Sequence, residues 1–493
     1  MQQQQIDSLK AMPVAPQQLF INGQWQAGTG SSHSVISPVD GQVITTIERA
    51  SRADMQAAIK AARQSFDDGR WANQAPSARK QVLLKLAELI QKNALELAVL
   101  GVRDNGTEIN MAIKAEPGSA AATFQYYSEA IDKVYGEIAP TDANFLGLIH
   151  KQPVGVVGAI VPWNMPLMIG AWKIAPALAA GNSVVIKPAE EASLTLLRLA
   201  QLASEAGLPD GVLNVVTGQG AVVGEELALS MEVDVLVFTG SGNTGRRLLE
   251  YSARSNMKRC YLELGGKSAN IIFADAPDLD QAALGAAMAI FRNSGQICIS
   301  GSRLLVENII HDEFVAKVAQ YAENLRVGNP LHLTSQIGAI NSQRQLTSNL
   351  EFVAKAHAEG AQLVTGGQQI LQSSGGYYMQ PTIFTGVESH HHLARAEVFG
   401  PVLGVTPFAT EAEAVALAND CDYGLAGAAW TNDLGRAHRM IKAVNTGGMF
   451  INTYGGSDAT MPLGGVKQSG NGVDKSLHAM DKYINLKTAW IQL

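Results

Sequence analysis

From Val154 onward the chain alternates short β-branched runs with stretches of ten or more residues of helical pattern. The order is GVVGAIV, helix, NSVVIKP, helix, GVLNVVTG, helix, VDVLVFTG, helix, CYLELGG. Parallel neighbours need a crossover, and a helix is the usual one, so this rhythm demands a parallel sheet covered on both faces. After Gly266 a second series begins with SANIIFAD, an Ala-rich helix and RLLVE, and continues through QPTIFTGV and PVLGVTPF. It reads as a second α/β unit. At 493 residues the chain has room for both and for about one more.

Flanking segments fit neither series. The first twenty residues read as loose, and LFINGQW (19–25) as a hairpin around Asn22-Gly23, the strongest short turn pair. Ser51 to Phe66 reads as a helix, capped by Ser51 and Asp54, with Met55, Ile59, Ala62 and Phe66 on one face. Gln81 to Leu100 reads as one further amphipathic helix. Asn144 to Lys151 and Lys482 to Gln492 alternate as strands outside both sheets, a pattern suited to an arm pairing between subunits.

Composition excludes several partners. With 37 basic against 44 acidic residues the formal charge is −7, so no basic excess favours nucleic acid. Val154 to Ile186 is apolar but interrupted by Pro162, Asn164, Pro166 and Lys173, which favours buried strands and a core helix over a membrane span. The glutamine-rich start lacks an apolar h-region and reads as no signal peptide. Three scattered cysteines, Cys260, Cys298 and Cys421, form no C-x-x-C pair and suit a reducing cytoplasm. His390, His391 and His392 are adjacent, their rings are expected to diverge, and no metal is expected there.

Two features point to chemistry. Gly240, Gly242 and Gly245 spell G-x-G-x-x-G between a strand pattern and a helix pattern, the context of a dinucleotide turn. The acid expected about 20 residues on is met by Glu263, which this reading alone would make the ribose ligand. Cys298 lies in FRNSGQICISGSR among small residues that leave room for a ligand; a lone cysteine is nevertheless more often an inert core residue.

The strings PWNMP (162–166), KPAE (187–190), FTGSGNTG (238–245), LELGGKSANIIF (262–273), GQIC (295–298), EVFGPVL (397–403) and PLGGVKQSG (462–470) occur together and in order. With them the chain resembles the NAD(P)-dependent aldehyde dehydrogenase superfamily along nearly its whole length. Its C-terminal string KQSGNGVDKSLHAMDK is similar to enzymes of γ-glutamylaminobutyraldehyde and other polyamine-derived aldehydes, with Val473 where an arginine is common.

The resemblance implies Cys298 as nucleophile, Glu263 as general base in place of the ribose reading, and Asn164 as oxyanion donor. It implies cofactor contacts from Trp163, Lys187, Glu190, Gly240, Ser241, Gly245, Glu397 and Phe399. A substrate funnel is implied at Met165, Ile169, Trp172, Ile297, Ile299, Gly455, Ser457 and Leu463. The implied division is 1–132 with 152–264 for NAD, 265–464 for catalysis, and 133–151 with 480–493 as a β oligomerisation arm. The implied reaction is NAD-dependent oxidation of an aldehyde to the acid, with NADP accepted more weakly, by a cytoplasmic homodimer or homotetramer.

Relatives acting on small aliphatic aldehydes often carry aromatics where this chain has Gly455, Ser457 and Leu463, so the resemblance implies a wide funnel for a long or amino-substituted aldehyde, with aromatic or medium-chain aldehydes as the alternative. Glu116 and Asp458 are candidate attractors for an amino tail, although surface acids are more commonly just solvated. A CoA-acylating enzyme is disfavoured because such relatives generally lack the base at Glu263. A non-catalytic structural homologue is disfavoured because Cys298, Glu263 and Asn164 are all present.

Overall fold

The computed structural model describes residues 2–456 and 458–493. Two seven-stranded sheets organise it. In the first, the strands run in the order Arg259–Glu263, Val235–Thr239, Val156–Ile160, Ser183–Lys187 and Leu213–Val215, all parallel. The hairpin Leu19–Ile21 and Gln24–Gln26 adds an antiparallel edge through Phe20 and Val215. Its turn places Asn22 at φ 53° and Gly23 at φ 75°, the doubly left-handed pair that a two-residue hairpin requires.

The second sheet runs Gln362–Thr365, Thr382–Thr385, Val402–Phe408, Arg303–Glu307, Ala269–Ile272, Ala426–Trp430, Gly448–Ile451. Only its Gln362–Thr365 edge is antiparallel. Central strands of both sheets are buried almost throughout and mostly apolar, because helices cover both faces. The α/β architecture expected from the alternation is therefore present.

The apolar stretch from Val154 forms two buried strands and the buried helix Pro166–Ala180 between them. Among the described residues no helix is long and apolar enough to cross a membrane. Phe145–Pro153 and Ile484–Gln492 pair antiparallel from Ile484↔Pro153 to Gln492↔Phe145, and Glu137–Ala139 completes a separate three-stranded arm.

Two expectations are corrected. The N-terminus is not loose: Gln3–Ala11 is a helix with a Gln2/Gln5 capping box, and Ile6 is buried among Ala98, Val99, Val102 and Ile109. Glutamine is a competent helix former, and one buried isoleucine is too brief a signal to show periodicity. The helix placed at 81–100 is two, Pro76–Lys92 and Ala94–Asn105, parted at Asn93 (φ −99°, ψ 16°). The cap at Ser51 stands, with Ser51 and Asp54 closing both halves of its box at Arg52–Asp67.

Candidate active site

In the first sheet the chain passes from Val156–Ile160 to strands on one side, then returns to Val235–Thr239 on the other. A crevice opens outside the strand ends at such a switch point. Trp163 and Asn164 follow the first of these strands and Gly240 to Gly245 follow the second. Ser241 caps the helix Gly242–Ala253 and accepts the Thr244 N–H, while the Gly240 N–H donates to Glu263 O at 3.0 Å. A side chain at Gly245 would stand 3.0 Å from Leu264, so this glycine lets helix and strand pack closely. A glycine turn running into an open helix N-terminus fits a dinucleotide pyrophosphate.

The other proposed cofactor residues surround this crevice. Lys187 ends Ser183–Lys187, buried, with Nζ donating to Pro188 O at 2.6 Å. Glu190 meets Arg49 at 2.7 Å. Trp163 and Phe399 stand edge to face with ring centres 5.2 Å apart. Glu397 accepts the Gly266 N–H at 3.0 Å, and burial pushes its carboxyl up to about 7.

Cys298 follows a turn forced into an unusual shape. Asn293 and Ser294 are both left-handed, at φ 51° and 53°, a conformation costly for non-glycine residues and sustained only by surrounding contacts. Those contacts are visible. Thr107 Oγ1 donates to Asn293 Oδ1 at 2.8 Å, the Asn293 N–H donates to Glu108 Oε1 at 3.2 Å, and Ser294 Oγ donates to Gly338 O at 3.0 Å. Asn164 Nδ2 donates to Gln296 O at 2.9 Å, two residues before the cysteine. Asn105 Nδ2 in turn holds Asn164 O at 3.1 Å. An amide carries two hydrogens, so one remains for a ligand oxygen.

Gly266, three residues after Glu263, abuts the same loop, since a Cβ there would lie 2.6 Å from Cys298 O. The segment that carries the base candidate thus rests its backbone on that of the nucleophile candidate. Cys298 is only partly exposed, and burial, then Glu397 and Glu263, push its thiol up to about 12.

Glu263 ends the strand Arg259–Glu263, buried, with Oε1 lacking a partner. Burial raises its carboxyl well above the ordinary range and Asp474 adds to this, while Lys173 and Lys482 oppose it. Asp474 lies between those lysines, 2.5 Å from each ammonium, and all three are buried. Burial alone would raise Asp474, but the two cations outweigh it and hold it low.

Met165, Ile169 and Trp172 belong to one large apolar core, and Ile297 and Leu463 pack against it partly buried. Ile299 presents its carbonyl to Tyr454 Oη at 2.7 Å, and Gly455 lies beside Arg292. Ser457 falls outside the described residues. Glu116 is not a solvated acid: it is buried, its Oε2 accepts the Met168 N–H at 2.7 Å, and burial pushes it up to about 8. Its site is the first turn of Pro166–Ala180, where a carboxylate complements the helix dipole. Asp458 is exposed and bonds Thr460. Lys475 lies over Trp172, 5.6 Å from the ring centre.

His390 and His391 do not diverge as expected. Their ring centres are 4.6 Å apart, and with Glu388 they form the one group of three candidate metal-ligating side chains among the described residues. His391 Nδ1 already accepts the Glu388 N–H. Cys260 and Cys421 are free and buried.

Residues without a role at the site in the sequence reading also converge here: Arg49, Thr107, Glu108, Lys173, Asp474 and Lys482. Lys173 and Asp474 are 301 positions apart. A charged residue inside the apolar run at Lys173 was the one available hint.

Comparison with known proteins agrees along the chain. The model of the Aldehyde dehydrogenase family matches residues 25–489. The NADP/NAD-dependent aldehyde dehydrogenase PuuC of Escherichia coli K12 is 47% identical over 486 residues, 98% of this chain and 97% of that protein. A solved indole-3-acetaldehyde dehydrogenase complexed with NAD+ superposes with a TM-score of 0.98 at 47% identity, covering 100% of both chains. The γ-glutamyl-γ-aminobutyraldehyde dehydrogenase of Burkholderia cenocepacia does so with a TM-score of 0.98 at 45% identity, again over 100% of both.

Proposed function

The chain belongs to the aldehyde dehydrogenase family and is an NAD-dependent aldehyde dehydrogenase, and from that premise we propose that Cys298, Glu263 and Asn164 oxidise an aldehyde to its acid. The observation that supports this is the abutment of Gly266 on Cys298 O, three residues after a buried carboxyl whose Oε1 lacks a partner and whose charge acts on the thiol. The Cys298 thiol gives its proton to solvent, and Sγ bonds to the aldehyde carbon. Asn164 Nδ2 and the Cys298 N–H donate to the oxyanion of the thiohemiacetal. NAD, when bound, accepts the hydride that leaves this carbon. Glu263 then removes a proton from the water that attacks the thioester, and Cys298 departs as thiolate.

Trp163, Lys187, Glu190, Gly240, Ser241, Gly245, Glu397 and Phe399 hold the cofactor. Residues 1–132 with 152–264 form its domain, and 265–464 the catalytic one. Residues 133–151 with 480–493 are the oligomerisation arm of a homodimer or homotetramer, which the exposed Leu486 and Trp490 support. The free cysteines suit the cytoplasm.

The substrate is a long or amino-substituted aldehyde of the polyamine-derived kind, entering by Met165, Ile169, Trp172, Ile297, Ile299, Gly455, Ser457 and Leu463. Likeness to the γ-glutamyl-γ-aminobutyraldehyde enzyme supports this. The equally similar indole-3-acetaldehyde enzyme supports an aromatic aldehyde as the second reading.

Glu263→Gln tests the chemistry. It should lower turnover by about 10²–10⁴ and leave an acyl adduct on Cys298, visible by intact mass spectrometry after mixing with NAD and aldehyde. Wild-type rates from this variant would overturn the assignment. Comparing kcat/KM for amino-substituted aldehydes, indole-3-acetaldehyde and acetaldehyde decides the substrate class.

A further inference from the structure

Beyond the crevice, at the end of Ser183–Lys187, the Glu190 carboxylate is not free. Arg49 NH2 donates to its Oε2 at 2.7 Å, and both side chains are about one-fifth exposed. The same guanidinium nitrogen lies 3.0 Å from His33 Nδ1. Arginine can only donate, so His33 accepts and must be neutral there. Burial and the neighbouring Arg49 both lower the imidazole and favour that form. Arg49 Nε is buried without any partner. The backbone beneath is fixed as well: Arg49 O accepts the Gly30 N–H at 2.9 Å, and the Ala50 N–H donates to Thr217 O at 2.8 Å. Thr217 follows the strand Leu213–Val215, so Arg49 is anchored at the sheet end where a cofactor adenosine belongs.

Charge adds to the picture. Glu190 alone would repel a phosphate on the ribose 2′ position. Here, however, Arg49, the buried Lys187 and Arg344, which pairs with Glu191 at 2.9 Å, give three cations against two carboxylates. A guanidinium that keeps about one-fifth of its side chain exposed and leaves its Nε donor unused can turn to a phosphate and hold it bidentately.

We propose that Arg49 forms a subsite for a 2′-phosphate, giving up its bond to Glu190 when the ribose is phosphorylated and returning to it when the ribose bears a hydroxyl. The enzyme then uses NADP as well as NAD through one side chain that changes partner. This rests on the cofactor site proposed above. It makes Arg49 a determinant of cofactor choice, with Glu190 as its counterweight.

The test compares wild type, Arg49→Ala and Arg49→Lys in two assays: kcat/KM for NADP and NAD with one aldehyde, and calorimetric binding of 2′,5′-ADP and 5′-AMP. In Arg49→Ala the NADP-to-NAD ratio of kcat/KM should fall about ten- to a hundredfold, the worth of a hydrogen bond to a charged group. The preference for 2′,5′-ADP over 5′-AMP should fall by a similar factor, and Arg49→Lys should retain part of both. An unchanged ratio, including an equal loss with both cofactors, overturns the proposal. So does a wild-type enzyme that neither turns over NADP nor binds 2′,5′-ADP. Should wild type oxidise no aldehyde yet lose 2′,5′-ADP binding on Arg49→Ala, the enzymatic reading fails and the subsite stands.

Discussion

The proposed reacting end and the proposed adenosine end of this cleft treat charge differently. Around Cys298 the ionisable groups are desolvated: Glu263, Glu397, Asp474, Lys173 and Lys482 are all buried or nearly so, and the backbone at Asn293 and Ser294 is strained. At the adenosine end Lys187 is buried too, but the carboxylates are paired in partial contact with water, Glu190 with Arg49 and Glu191 with the exposed Arg344. Burial sets protonation states, which chemistry needs, whereas solvated pairs exchange partners cheaply, which recognition needs.

If the two ends are independent, removing the nucleophile should spare binding. Cys298→Ala is expected to drop turnover below detection while NAD still titrates with wild-type affinity in a fluorescence assay; lost NAD affinity would show that the ends are coupled. Asn164→Ala should cost about 10²–10³ in kcat with little change in KM for NAD, since the role proposed for its second N–H is at the oxyanion. A change confined to KM would place Asn164 in ground-state binding instead.

Lys482→Met probes the buried charges. Lys482 opposes the raised carboxyl of Glu263, so its loss raises Glu263 further and less of it is ionised at neutral pH. The acid limb of the kcat profile should move up by about one pH unit. A profile that stays in place would uncouple this lysine from the base.

The smallest effect belongs to Glu116, whose carboxyl stands at about 8 in the fold against 4.5 for the free group. Between those values the folded state binds more protons than the unfolded one, so stability falls as pH rises through that window. Glu116→Gln should flatten the slope of Tm against pH by a few degrees across it. An unaltered slope would mean that the carboxyl ionises without cost beside the helix end.

What could be read in the sequence follows from local signals. The alternation from Val154 announces the parallel sheet, Asn22-Gly23 its hairpin edge, and Ser51 with Asp54 a helix start, because each is a pattern over a few residues. Cys298, Glu263 and Asn164 were nameable because the strings around them are distinctive. The partners of those residues were not. Asp474 meets Lys173 across 301 positions, Thr107 meets Asn293 across 186, and Arg49 meets Glu190 across 141. No periodicity links such pairs, since only the finished packing brings them together. Glu116 was misjudged for the same reason: its burial is set by the helix at Pro166, not by its own neighbours in the chain.

Gly266 has a consequence for anyone reshaping this enzyme. Even a methyl group there would press on Cys298 O, and the nearest atom is backbone, which cannot swing aside. Libraries aimed at new substrates therefore have more play at the proposed funnel wall, at Ile299 or Leu463, and almost none at this hinge of contact. Sequence space around the pocket is broad where side chains face the ligand and nearly closed where one main chain rests upon another.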